Sequence, residues 1–173
     1  MNSIYQSLFP HFSKMLKALD GVLTKAETYA KEKGLPESAL LDAKLIDDMF
    51  PMKKQVQVAT DNAKGAAARL GGLEVPVFAD DEQSFADLHA RIAKTLAFLD
   101  TVKEESFADA ANRRITLPYF PGKYMTGEGY AYEYVLPNFF FHITTAYAIL
   151  RKEGVPVGKA DYMGGLPLID EAS

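Results

Sequence analysis

Three imidazoles and a small set of carboxamides are the side chains of this sequence whose types could support chemistry. His11, His89 and His142 are its three histidines, and cysteine is absent. His142 lies in VLPNFFFHITTAYAILRKEG, the densest apolar run of the chain. On a helix, Asn138, His142 and Thr145 fall at i, i+4 and i+7, beside Phe141 and Ile149. His11 sits on the stripe drawn through Ile4, Leu8 and Met15, and His89 at the edge of the stripe through Phe85 and Ile92. In the segment after Pro51, Gln55 and Asn62 flank a row of alanines, whereas Gln57 and Asp61 point away from it with Lys53 and Lys64.

Two chemistries fit such residues. Imidazoles and carbonyl oxygens inside a helical bundle can hold a divalent ion such as zinc or nickel, which activates water or a thiol. Alternatively each polar side chain is a hydrogen-bonded group of the core, as buried polar groups generally are. The three histidines lie on different predicted helices, and neither an HxxxH nor an ExxH pair occurs. The hydrogen-bonded reading is therefore preferred, with His142 as the one candidate metal ligand. His142, Asn138, Gln55, His11 and His89 are the candidate ligand-binding set.

Other chemistries find less support. Without cysteine there is no thiol nucleophile, thiolate metal site or disulfide framework. No Gly-x-Ser-x-Gly elbow supports a serine triad. The glycines of AKGAAARLGG follow a helix rather than a strand, so they do not make a dinucleotide loop. Asp47–Asp48 and Asp80–Asp81–Glu82 read as helix-terminal charges, with Asp80 or Asp81 favouring the dipole of the helix that follows. Tyr119, Tyr124, Tyr130, Tyr132 and Tyr134 either line a ligand mouth or pack a hairpin on the bundle, and packing is the preferred role.

The elements that must position these residues are helices. The chain of 173 residues is expected to form one domain, and 48% hydrophobic with 24% charged residues is ordinary for a soluble globular protein. A net charge of −4 favours neither nucleic acid nor an anionic membrane. The N-terminal MNSIYQSLFPHF lacks the pattern of a secretory signal, and the run around His142 is too interrupted to span a bilayer. A cytoplasmic location is expected.

Ile4, Leu8, Met15, Leu19, Val22 and Ala26 predict a first helix ending at Gly34 and Pro36, with Pro10 kinking its first turns. A short helical piece is expected around residues 37–47. The second long helix opens at Pro51 and stops at Gly71–Gly72, burying Met52, Val56, Ala59, Ala63, Ala66 and Leu70. The third runs from about Asp81 to Val102. RITLPYFPGKYMTGEGY then suggests a short hairpin or ordered loop turning at Pro121–Gly122. The fourth covers roughly Gly129–Glu153, capped by Gly154, and the tail is expected to lie extended on the surface. Together these predict an all-α four-helix bundle with a crossover connection.

PNFFFHITTAYAILRKEGV and DMFPMKKQVQVATDNAKGAAARLGG resemble an uncharacterised bacterial family of the DinB/YfiT-like superfamily, many of whose members carry a metal site. The resemblance runs from SIYQSLFPHF to VGKADYMGG. It implies a four-helix bundle with a crossover, often dimeric. It also implies a divalent-metal site of three histidines, one on helix two and an HxxxH pair on helix four. His142 matches the second histidine of that pair and Asn138 stands at the first. The helix-two position falls on Gln57 if the motifs are overlaid, or on Gln55 if the inward face decides. With amides at two of three positions the site reads as degenerate, since a neutral amide oxygen is a poor ligand for transition metals. The expected function is a ligand-binding or non-catalytic bundle, and a homodimer closely packed through its alanine stripe is the expected assembly. The alternative is a metal-dependent transferase or hydrolase in which His11 or His89 helps His142 hold the ion.

Overall fold

The protein is described by a computed structural model covering residues 3–171. Four long helical segments dominate it: α1 (Ile4–Lys33), α3 (Met52–Gly71), α4 (Phe85–Thr101) and α6 (Leu136–Lys152). Shorter pieces connect or extend them: α2 (Ser38–Leu41), α5 (Gly127–Gly129) and α7 (Lys159–Met163). Around the bundle α1 packs beside α4 and α6, and α3 packs beside α4 and α6. The passages from α1 to α3 and from α4 to α6 therefore cross the bundle rather than joining neighbours. The expected crossover is present, and it occurs twice.

Local chemistry sets the ends of the helices. Ser3 accepts from the Gln6 N–H at the start of α1. Gly34 and Gly72 close α1 and α3 in the left-handed conformation, at φ 64° and 70°, which a residue without Cβ adopts at no steric cost. Helix α4 starts later than its acidic approach suggested. Ser84 and Asp87 form a reciprocal capping box, so the helix begins at Phe85. Asp81 is exposed outside it, and Asp80 is used instead in ion pairs with Lys54 and Arg91.

The alanine stripe of α3 meets α6, the most intimate helix pair of the fold. Ala59, Ala63 and Ala66 are fully buried there, so this stripe is spent inside the chain and offers no face to a second copy. Phe139 from α6 packs against Phe12 of α1 with ring centroids 4.3 Å apart. Burying an aromatic of that size contributes about 1.5–3 kcal/mol.

The hairpin before α6 is reduced to β1 (Arg114–Ile115) paired antiparallel with β2 (Met125–Thr126). Ile115 and Leu117 are buried as the alternation requires, but Tyr119 lies exposed. Beyond the hairpin, α5 leads into a π-helical stretch, Tyr130–Val135, which continues directly into α6. Gly127 is required at that entry, because a Cβ there would collide with the carbonyl oxygen of Ala110. The tail is not purely extended. Val155 and Val157 are buried, and α7 docks on α1 through the 2.7 Å ion pair of Lys25 with Asp161. Among the described residues no helix is long and apolar enough to cross a membrane.

Candidate functional site

Helices α3 and α6 pair their polar residues in two rungs. At the lower rung His142 Nδ1 lies 2.7 Å from Gln55 Oε1. At the upper rung Asn138 donates through Nδ2 to Asn62 Oδ1 at 3.0 Å, and Asn62 donates to the carbonyl of Val58. Residue numbers rise from 55 to 62 on α3 as they fall from 142 to 138 on α6. That is the signature of two antiparallel helices held in register. The close approach allowed by the alanine stripe brings these short side chains within hydrogen-bond reach.

The orientation of the lower rung follows from its neighbours. Gln55 Nε2 donates to the carbonyl of Phe50 at 2.9 Å, so its oxygen must face the imidazole. His142 then carries its proton on Nδ1 and keeps a lone pair on Nε2. Burial pushes the His142 pKa below its ordinary value, so the ring is held neutral. Gln55, rather than Gln57, is thus the helix-two residue that meets His142.

Above the ladder opens a cleft of about 550 Å³. Its α3 wall carries Lys54, Asp61, Asn62, Lys64 and Arg69, and the opposite side presents Asn138 with Tyr119, Tyr130 and Tyr134. Tyr130 is buried, and Arg69 Nη1 donates to its hydroxyl at 3.3 Å. The π-helical turn brings the Tyr130 and Tyr134 rings into a stack, 5.7 Å apart and 17° from parallel. π turns recur at functional sites because they re-aim side chains without ending a helix. Desolvation, partly offset by Arg69, raises the Tyr130 pKa, so its hydroxyl remains a donor at neutral pH. Three of the five clustered tyrosines therefore line the mouth rather than only packing. Tyr130 is also part of the core, Tyr132 and Tyr134 pack against it, and Tyr124 lies exposed under the Arg114 guanidinium.

The remaining candidates are placed elsewhere. His11 is exposed on α1 near Gly165 and Leu166. With Phe9, Phe12, Leu16 and Leu23 included, the buried face of α1 is centred about 90° from His11 at 100° per residue. The stripe drawn through Ile4, Leu8 and Met15 alone was off-centre. His89 is half-buried between α4 and α1, where its Nδ1 lies 2.6 Å from Asp20 Oδ1 and its Nε2 3.8 Å from Glu27. Neither histidine approaches His142.

Gln57, Asp61 and Lys64 do point away from the alanine stripe, yet they do not face open water. The segment between α3 and α4 folds back over them. Gln57 Nε2 donates to Glu82 at 2.6 Å, and buried Arg91 binds Thr60, Asp61, Asp80 and Glu82 at 2.7, 2.7, 3.1 and 2.7 Å. Phe78 lies beneath the Lys64 and Lys94 ammonium groups, 4.6 and 4.2 Å from its ring centre. Arg91 is not among the residues singled out from the sequence; its partners come from α3 and from the segment that returns before α4. Thr95, four residues on along the same face of α4, is buried with it.

A divalent ion was the family-derived expectation for the ladder, and the donor set does not fit one. Gln55 turns its oxygen to His142 and its nitrogen to Phe50, while Asn62 accepts from Asn138 and donates to Val58. The Asn138 carbonyl oxygen is the amide atom left over, a neutral donor and so a poor ligand for such ions. That leaves His142 Nε2 as a single strong donor, where a protein site for zinc or nickel takes three or four. Among the described residues no three His, Cys, Asp or Glu side chains gather in a metal-holding group.

Comparison with known proteins agrees with this architecture. A family model described as a domain of unknown function, DUF1993, matches residues 4–163. No curated protein matches the chain. The crystal structure of a DinB family member protein from Shewanella denitrificans is similar, with a TM-score of 0.92 and 44% identity. The match covers 96% of this chain and 95% of that one.

Proposed function

This chain belongs to the DUF1993 family of domains of unknown function, and from that premise we propose that it is a small-molecule-binding bundle with a degenerate metal site. The observation that carries the reading is the closed amide–imidazole ladder at the base of an open cleft. Gln55 is held at both ends of its amide, by His142 at Oε1 and by Phe50 at Nε2, so the lower rung behaves as a rigid neutral floor. The cleft above it offers cations, phenols and an amide to a ligand. Ligand sites of this kind are concave, largely pre-formed and marked by a few converging polar groups.

The alternative is a transferase or hydrolase dependent on a divalent ion. It would need a second and third strong donor beside His142, and His11 and His89 lie too far round the bundle to supply them. A cytoplasmic homodimer is the setting we propose. The alanine stripe cannot mediate the dimer, but the exposed Phe50 and Phe141 flank the lower rung and would be covered by such a contact.

Elemental analysis of protein purified without an affinity tag tests the reading. The expected result is metal well below one ion per chain in both the natural protein and a His142→Ala variant. Stoichiometric zinc or nickel that disappears in the variant overturns it. Sedimentation at micromolar concentration tests the dimer, which a monomer would remove.

A further inference from the structure

The charges around the cleft say what kind of ligand it would take, given the reading of that cleft as a binding chamber. Its walls hold three cations, Lys54, Lys64 and Arg69, against two carboxylates, Asp61 and Asp80. Both carboxylates are already committed. Asp61 pairs with Lys64 and with Arg91, each at 2.7 Å, and Asp80 pairs with Lys54 at 2.5 Å and with Arg91 at 3.1 Å. Arg69 is left over: among the described residues it meets no carboxylate, and its side-chain partner is the Tyr130 hydroxyl.

The backbone makes room for that guanidinium. One helical turn before Arg69 stands Gly65, where a Cβ would collide with Arg69 Nη1. Glycine is the poorest helix former after proline. At this buried position it lets the guanidinium lie against the helix beside Tyr130 instead of swinging out.

We infer that Arg69 and Tyr130 form the anion-binding end of the cleft, and that the ligand is a small monocarboxylate with an apolar or aromatic body. The planar guanidinium presents a fork of donors that matches a carboxylate, and the phenol adds another donor. One uncommitted cation suits one negative charge, whereas a phosphate dianion would leave charge uncompensated. The body would lie along Val75, Leu117, Tyr119 and Tyr134. From Arg69 to Asn62 is two turns of α3, roughly 10 Å, which sets the length available before the amides.

Heteronuclear NMR titration of the intact chain with benzoate, and with benzamide as its neutral isostere, tests this. Benzoate is expected to give saturable shifts at the amides of Arg69, Tyr130 and Tyr134, with affinity at least fivefold above that of benzamide. Arg69→Gln should abolish that preference. Gly65→Ala, which removes no polar group but displaces the Arg69 guanidinium from Tyr130, should weaken benzoate at least fivefold and leave benzamide unchanged. Equal affinity for the two probes at these residues overturns the carboxylate assignment and leaves the chamber standing. Saturable shifts confined to another surface, or none with either probe, overturn both.

Discussion

Gln55 and His142 form one hydrogen-bonded unit: the carboxamide oxygen lies 2.7 Å from Nδ1, while the carboxamide nitrogen is anchored on Phe50 at 2.9 Å. The anchor fixes the amide, the amide fixes the tautomer, and the tautomer leaves Nε2 as an acceptor. Gln55→Leu keeps the volume but strands the imidazole N–H. The expected cost is about 1–3 kcal/mol, read as a lower urea midpoint at unchanged slope. An unmoved midpoint would show that the pair is not formed in solution.

The acid response of the protein should divide into two windows. His142 has its folded-state pKa lowered by burial, so the unfolded chain binds the extra proton first. The stabilisation is complete above the unfolded value of about 6.5 and is lost as pH falls from there through the depressed folded value. Asp80 follows at lower pH. Burial works against its charge, but Lys54 and Arg91 outweigh it and lower the pKa. Its contribution is present above about pH 4 and disappears as pH falls through the lowered value. Thermal midpoints of the natural protein should therefore begin to fall near pH 6.5, whereas His142→Gln should stay flat down to the carboxylate window. Parallel curves for the two proteins would refute the assignment.

Arg91 is 3% exposed and its partner Glu82 7%, which makes them the most deeply buried opposite charges of the described chain. Arg91→Met leaves Glu82 without its cation and Thr60 and the Ala79 carbonyl without their donor. Breaking one side of a buried pair commonly costs about 3–5 kcal/mol. Adding Glu82→Gln to Arg91→Met should recover part of that loss, because the stranded charge is then gone. A double-mutant cycle by chemical denaturation checks it: strictly additive losses would mean the two groups act independently.

How far these features could be read in advance depended on how local they are. The helical segments, the glycine stops at Gly34 and Gly72 and the buried alanines follow from periodicity and capping within about ten residues. The Gln55–His142 rung was half legible: the resemblance grouped His142 with a helix-two amide, and helical phase favoured Gln55 where the motif overlay favoured Gln57. His11 was misplaced because three residues of a broad stripe do not locate its centre. The Arg91 network and the π turn lay beyond reach for a different reason. The network depends on where the segment after Gly72 returns, and the turn depends on a wider helical pitch just ahead of Pro137. Neither leaves a period in the sequence.

Gly65→Ala sets local propensity against a tertiary contact. Alanine should favour α3 by up to about 1 kcal/mol, but its methyl displaces the Arg69 guanidinium from Tyr130. That partly exposed hydrogen bond to a charged donor is worth about as much. The net change in stability should lie within about 1 kcal/mol of zero. A variant destabilised well beyond that would mean the backbone, rather than the flexible arginine, has to yield.

The ladder can also be tested by rebuilding what its amides replace. Position 138 lies one turn from His142 on the same face of α6, and position 55 on α3 is already within hydrogen-bond reach of that ring. Gln55→His combined with Asn138→His therefore directs three imidazoles at one locus, a donor set suited to zinc or nickel. The tag-free double variant should purify with close to one ion per chain, while the natural protein stays well below that. Metal at a hundred times its dissociation constant should stabilise the variant by about 2.7 kcal/mol. The effect should fade in acid as the imidazoles take up protons. If the double variant folds and binds no metal, positions 55, 138 and 142 do not share one locus, and the ladder as described is wrong.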